Sequence, residues 1–299
     1  MKLVRRLILL ISLIVITLSI TGTSDLPKLS LPREEAKNFF TGLAGENKQI
    51  LVVKIDDTNA AHPQIGIEDA DLVYVEQVEG GLTRLAAIYT SKLPPLIGPI
   101  RSARISDIEL LAQFGRVGFA YSGAQSKMRP VIAAANLENL SAERNPPSIY
   151  GKDPNRPGPV DMILKPDLLL ERANANPKIR IETATASVFA FGDAPKGETN
   201  TAIAKVSWPS AKYELRWDSV NKKWLIYFNE KPNMAANGEQ LYADTAIIQL
   251  VSITPSIYGD KFGEITPFSK TTGSGKAVML RDGFSYQISW QRNLETDVT

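Results

Sequence analysis

The stretch "DLVYVEQVEGGLTRLAAIYT", residues 71 to 90, restricts the fold of this chain more than any other. Two β-rich runs flank Gly80-Gly81, which supply the positive φ angles of a two-residue hairpin turn. Pairing across such a turn sets Gln77 opposite Arg84 and puts Glu79 diagonal to it on the same face. Away from the tip both faces are apolar, with Val73, Val75, Ala86 and Ile88 on one side and Leu72, Tyr74, Leu85 and Ala87 on the other. A sheet of that kind is covered on both sides.

The rest of the chain fits a layered α+β protein. "QILVVKID" before the hairpin and "VGFAYSG" after it read as strands, while "SDIELLAQF" (106 to 114), the region of 130 to 140 and "PDLLLERANA" (166 to 175) read as helices. "NPPSIYGKDPNRPGPVD", 145 to 161, reads as a long loop. From about 180 the texture changes to short β runs at 186 to 191, 212 to 217, 223 to 228, 245 to 253 and 277 to 290, the last turning at Asp282-Gly283. The expected architecture is an α/β domain over 49–177, with a mixed sheet covered by helices, then a smaller, mostly β domain over 178–299. Residues 25–48, polar and broken by Pro27 and Pro32, read as a linker.

The first 24 residues carry Lys2, Arg5 and Arg6 ahead of an apolar run from Leu7 to Ile20. That length suits a signal-peptide core better than a full membrane span of about 20 residues. Gly22 and Ser24 suit a cleavage site; an uncleaved segment stays as a membrane anchor. Export to the outer face of the cytoplasmic membrane, or secretion, is the expectation. With no cysteine among 299 residues, neither a disulfide nor a lipid-modified cysteine can form. The formal net charge of +2 falls to 2 − 3 = −1 without the three N-terminal cations, so no basic field points to nucleic acid.

Charge is concentrated instead at "GPIRSARISDIELL", 98 to 111. Ser106 and Glu109 have capping-box spacing, and Ile105 with Leu110 that of a hydrophobic staple, so the helix is expected to start at Ser106. Arg101 and Arg104 then approach the positive end of the helix dipole, where cations are disfavoured without a counter-charge. That charge is either internal, from Asp56, Asp57, Glu76 or Glu79, which could also pair with Arg84, or an external phosphate or carboxylate gripped by Arg84, Arg101 and Arg104 with Ser102. Glu76 and Glu79 could instead serve as the acid and base of a glycan hydrolase, but on a regular strand they point to opposite faces. His62, the one histidine, reads as a solvent-facing loop residue and builds no zinc site of the usual kind. No metal or cofactor is expected. "TTGSGKAVM" lacks the first glycine and the Ser/Thr of a phosphate-binding loop, and the aromatics Trp217, Trp224, Tyr227, Phe228 and Trp290 read as core or hairpin pairs.

The segments "VEGGLTR" and "GPIRSAR", in that order and spacing within residues 50 to 125, resemble the YerB-like family of bacterial envelope lipoproteins, a domain-of-unknown-function family. "TAIIQLV" and "GSGKAVMLRDGFSYQISWQR" are similar to its C-terminal pattern. The resemblance implies an N-terminal α/β domain, a β-rich C-terminal one, and a partner or regulator of cell-wall synthesis with no established catalytic activity. An envelope protein or an anionic wall polymer is the implied partner. The chain departs from the pattern in lacking the lipid-anchored cysteine, in Asp57 for Asn, His62 for Arg, and Pro159-Val160-Asp161 for Pro-His-Asn. The family pattern also runs further than Thr299, through another strand pair, so the last domain is expected either to be incomplete or to lack an edge strand.

Overall fold

The computed structural model describes residues 36–185, 189–260 and 262–299. Its first sheet is built around β1 (Leu51–Asp56), every residue of which is buried. β1 pairs antiparallel with β3 (Thr83–Tyr89) and parallel with β4 (Val117–Ala120). With β2 (Leu72–Gln77) and β5 (Leu137–Asn139) the order is β2-β3-β1-β4-β5, a mixed sheet. Strand alternation divides its apolar residues into two cores. Leu51, Val53, Ile55, Leu85 and Ala87 pack on one side with Leu169 and Ala173 of α3 (Pro166–Asn174). Val52, Ala86 and Ile88 pack on the other with Leu110 and Leu111 of α1 (Ile105–Ala112) and Ile132 of α2 (Arg129–Ala134).

Several expectations are corrected by one residue or one element. The β2–β3 register is Glu76 opposite Arg84 and Gln77 opposite Thr83, because Val78 to Leu82 form a longer connection with a 3-10 turn at Glu79–Gly81. Glu79 has therefore left the strand. Both glycines do take positive φ, 65° and 67°. The faces accordingly join Val73 and Val75 to Ala87 and Leu85, and Leu72 and Tyr74 to Ile88 and Ala86. α1 starts at Ile105 with Arg104 as N-cap. The Asp107 carboxylate accepts the Arg104 N–H at 2.6 Å, whereas the Ser106 and Glu109 side chains turn to the C-terminal region. The helix expected over 130 to 140 ends at Ala134, and its second half is β5. The loop 145–161 contains β6 (Tyr150–Lys152), paired with β7 (Met162–Leu164). Within the expected linker, residues 36–48 belong to the fold, since Phe40 is buried against Phe114 and the Asn38 side chain donates to Thr90. Residues 1–24, and the rest of that linker to 35, lie outside the described residues, as do 186–188 of one expected strand.

The C-terminal region is β throughout. β8 is Thr199–Asn200 and β9 is Ile203–Trp208, followed by β10 (Ala211–Asp218), β11 (Lys223–Phe228), β12 (Lys231–Pro232) and β13 (Tyr242–Ala243). One sheet runs β12-β11-β10-β9, with β13 also on β11. β14 (Thr245–Gln249), β17 (Gly273–Arg281), β18 (Phe284–Arg292) and β8 make a second, and β15 (Ser252–Gly259) with β16 (Ile265–Lys270) a two-stranded ribbon. Asp282 and Gly283 turn the β17–β18 hairpin with φ of 53° and 81°. Trp224, Phe228 and Trp290 are buried, and Trp217 lies 5.3 Å from Trp224. Tyr227 instead carries the Arg216 guanidinium 3.9 Å over its ring.

Candidate functional site

β4 ends opposite Val53 of β1, and beyond that point the backbone of 98–104 runs between the last residues of β1 and the residues that follow β4. Ile100 bridges to Ile55, and Arg101 donates its N–H to Lys54 and accepts that of Ser122. Ala103 donates to Gly123. Carboxyl ends of parallel strands are where open α/β sheets present ligand-facing groups. That threading delivers Arg101, Ser102 and Arg104 to one place, with Ser102 Oγ 3.2 Å from Ser122 Oγ.

The counter-charge for the arginines comes from the protein's own strands. Arg101 Nε sits 2.6 Å from one Asp56 oxygen and Arg84 approaches the other at 3.5 Å. Arg104 donates Nε to Glu79 at 2.8 Å, with a terminal nitrogen also 2.8 Å from the same carboxylate oxygen, and its remaining nitrogen to the carbonyls of Ser102 and Ala103. Behind them Lys54 bonds Glu76 at 2.8 Å and Asp107 at 2.6 Å with no exposure of its own. Asp57 accepts from Thr83 and, at 2.7 Å, from the Tyr213 hydroxyl of β10. Four cations thus face five carboxylates, Asp56, Asp57, Glu76, Glu79 and Asp107.

Burial pushes the Glu76 carboxyl up to about 7; Lys54 opposes the shift and the Asp107 charge adds to it. Burial is the largest single influence on Glu79 and raises it, but the Arg104 guanidinium, the Thr266 hydroxyl and a backbone hydrogen bond together outweigh it and leave this carboxyl below its ordinary value. The Arg84 guanidinium falls to about 10, chiefly through burial, with Asp56 opposing and Arg101 and Arg104 repelling it. Burial alone would lower Lys54, yet its two carboxylates hold it above the usual lysine value.

All seven expected site residues, Asp56, Glu76, Glu79, Arg84, Arg101, Ser102 and Arg104, therefore lie in or beside one network, in a different arrangement from a matched acid and base. Glu76 is committed to Lys54, and Glu79 to Arg104 and the Thr266 hydroxyl. His62 is not a solvent-facing loop residue. Its ring stacks on Phe228 at 4.3 Å, with Nδ1 3.0 Å from Asn233 and Nε2 3.2 Å from Asp57. Among the described residues no group of His, Asp and Glu has the geometry of a metal site. Sequence reasoning missed Lys54, Asp107, Tyr213 and Thr266. Lys54 had a signal: it is the one cation in an otherwise apolar run, "ILVV" before it and Ile after, where an unpaired charge is prohibitively costly.

The fold and site define an α+β protein in which a buried ionic network closes the carboxyl end of a mixed sheet. The chain belongs to the family described as "Protein of unknown function (DUF3048)", whose N-terminal domain matches residues 40–180 and whose C-terminal domain matches 204–299. It is 40% identical over 75 residues to the Bacillus subtilis (strain 168) protein named "Putative lipoprotein YerB", a stretch making up 24% of this chain and 23% of that relative. The crystal structure of the YerB protein from Bacillus subtilis superposes with a TM-score of 0.72 at 20% identity, covering 88% of this chain and 89% of that one. At that identity the likeness is one of fold.

Proposed function

We propose that this chain is a non-catalytic binding protein of the bacterial envelope, exported by its N-terminal segment and acting as a partner or regulator of cell-wall synthesis. The name of the Bacillus relative supports an exported, membrane-associated location. Among the described residues no helix is long and apolar enough to cross a membrane, so attachment by the chain itself falls to residues 7 to 20, outside them. Division into domains near 178 belongs to the same proposal.

The observation that carries the binding reading is the commitment of each named carboxylate to a cation or hydroxyl of the same chain, which leaves Glu76 and Glu79 no role as a glycosidase pair. Of the three arginines, Arg101 keeps a free edge. Its Nε is held by Asp56, its side chain is 26% exposed, and one terminal nitrogen makes only a 3.4 Å contact with the Pro159 carbonyl. A guanidinium fixed at one corner with its outer edge in water is suited to an acidic protein surface or an anionic wall polymer.

Pull-down of wall polymers and envelope proteins by the parent and by Arg101→Gln tests the reading. We expect capture to fall at least about tenfold in the variant, the loss of one charge-assisted contact of roughly 1.5–3 kcal/mol. Undiminished capture by a variant with the parent's thermal midpoint rejects Arg101 as the contact.

A further inference from the structure

Lys54, Asp107 and Glu76 bring an amine, a carboxyl group and a proton carrier into contact inside the fold. Lys54 Nζ lies 2.6 Å from Asp107 Oδ1 and 2.8 Å from Glu76 Oε1, and the side chains of Lys54 and Asp107 have no exposure at all. Asp107 is held by its other oxygen as well, since Oδ2 accepts the Arg104 N–H at 2.6 Å. Burial keeps the Glu76 carboxyl up at about 7 against the pull of Lys54, and a hydrogen bond to Asp107 favours its protonated form. Glu76 thus reaches both the nitrogen and the carboxyl group. An ammonium and a carboxylate fixed in a site closed to solvent are the reactants of an amide, and their fixed geometry supplies the effective concentration that free groups lack. Burying the two charges is costly, whereas the amide they form is neutral.

We propose that Lys54 and Asp107 condense after folding into an intramolecular isopeptide bond, with Glu76 relaying the protons. The ion pair of the structure is the reactant. A proton passes from the ammonium across the 2.6 Å hydrogen bond to Asp107 Oδ1, leaving a neutral amine beside a neutral acid, both favoured by burial. The amine lone pair then forms the Nζ–Cγ bond, and the Arg104 N–H stabilises the negative charge that develops on Oδ2. Glu76 takes a second proton from Nζ and gives one to Oδ1. The Cγ–Oδ1 bond breaks and Oδ1 departs as water, so two of the three ammonium protons leave with it and the third stays on the amide nitrogen. Glu76 ends as it began. The link joins β1 to α1 across 53 positions, in a chain whose lack of cysteine excludes a disulfide.

Mass spectrometry of tryptic peptides from the full chain, sampled at intervals after expression, tests the bond. Condensation blocks cleavage after Lys54 and is expected to yield a branched peptide, residues 49–84 joined to 105–116, lighter by one water than those two segments together. Glu76→Gln keeps the shape of the side chain and relays no proton, so its branched peptide is expected to accumulate about a hundredfold more slowly or less. Lys54→Arg keeps the charge, offers no simple amine, and is expected to give none. A parent that yields only the linear peptides 49–54, 55–84 and 105–116 overturns the proposal, and that result requires no variant to fold. A folded Glu76→Gln that condenses as fast as the parent overturns the part given to Glu76.

Discussion

Lys54 shows how one residue can dictate what surrounds it. An ammonium with no solvent contact persists only when its partners recover the lost hydration. Glu76 and Asp107 do so from two elements, one a strand and the other the first turn of α1. Lys54→Met leaves both carboxylates buried without a cation, and urea unfolding at neutral pH is expected to reveal a loss of about 3–5 kcal/mol. Glu76→Gln tests a different property. The native Glu76 carboxyl titrates near 7 against a reference of 4.5, so the folded protein holds a proton that the unfolded chain releases between those values. Its contribution to stability is complete below about 4.5 and is lost as pH rises through about 7. The expected outcome is a parent that loses stability relative to Glu76→Gln between pH 5 and pH 8, with the difference measured by urea titration at each. A constant difference across that window contradicts the assigned shift.

At the scale of elements, the β2–β3 connection is both a turn and a docking surface. Gly80 and Gly81 share left-handed φ values of 65° and 67°, but their surroundings differ. A Cβ on Gly81 would stand 2.5 Å from the Pro209 Cβ, and one on Gly80 would come no closer than 3.4 Å to any neighbour, Glu264. Ser210 donates its N–H to the Gly81 carbonyl and its hydroxyl to that of Gly80, which pins the β9–β10 turn to the hairpin tip. Gly80→Ala is expected to cost about 1–2 kcal/mol for the backbone alone. Gly81→Ala must cost distinctly more, because the clash adds to it. Equal midpoints in thermal unfolding would show that the tip does not bear on Pro209. The Gly-Gly pair and alternating apolar residues made this hairpin legible in the sequence. They left its register open, since a connection one residue longer moves Glu76 rather than Gln77 opposite Arg84. The arginine cluster was equally legible, and so was its need for anions. The partners were not, because Tyr213 reaches Asp57 across 156 positions and Thr266 reaches Glu79 across 187, and no local pattern encodes pairing at that distance. The capping box failed for a related reason. Ser106 and Glu109 had the right spacing, but the C-terminal strands supplied them with better partners: Ser106 accepts the Ser269 N–H and Glu109 those of Thr271 and Thr272.

Across the whole molecule, Arg292 is the counterpart of Lys54. Buried to 1% exposure near the end of β18, it donates to the Glu109 carbonyl of α1 at 2.6 Å, to Thr271 Oγ1 at 2.8 Å and to the Asp297 carbonyl at 3.0 Å. Glu109 in turn binds the turn after β16, so α1 and the C-terminal strands exchange hydrogen bonds in both directions. Such reciprocal contacts make separate sheets unfold as one. The chain separates the probes by itself: its four tryptophans, 208, 217, 224 and 290, lie in the β-rich region, and its described α-helices fall between 105 and 174. Tryptophan fluorescence therefore reports on the C-terminal sheets and helical ellipticity on the N-terminal layer. In the parent the two urea transitions should coincide, as cooperative unfolding requires. Arg292→Met keeps apolar bulk and removes every donor, leaving the Glu109 and Asp297 carbonyls without it, a loss of roughly 1–3 kcal/mol for each buried acceptor left unpaired. That loss falls on the contact between the layers rather than on either core, so the fluorescence transition is expected to move to lower urea ahead of the helical one. Coincident transitions in the variant would mean that the interface draws its cooperativity from the hairpin tip and the Asp57–Tyr213 bond instead, and the Gly81→Ala variant would then be the one in which they separate.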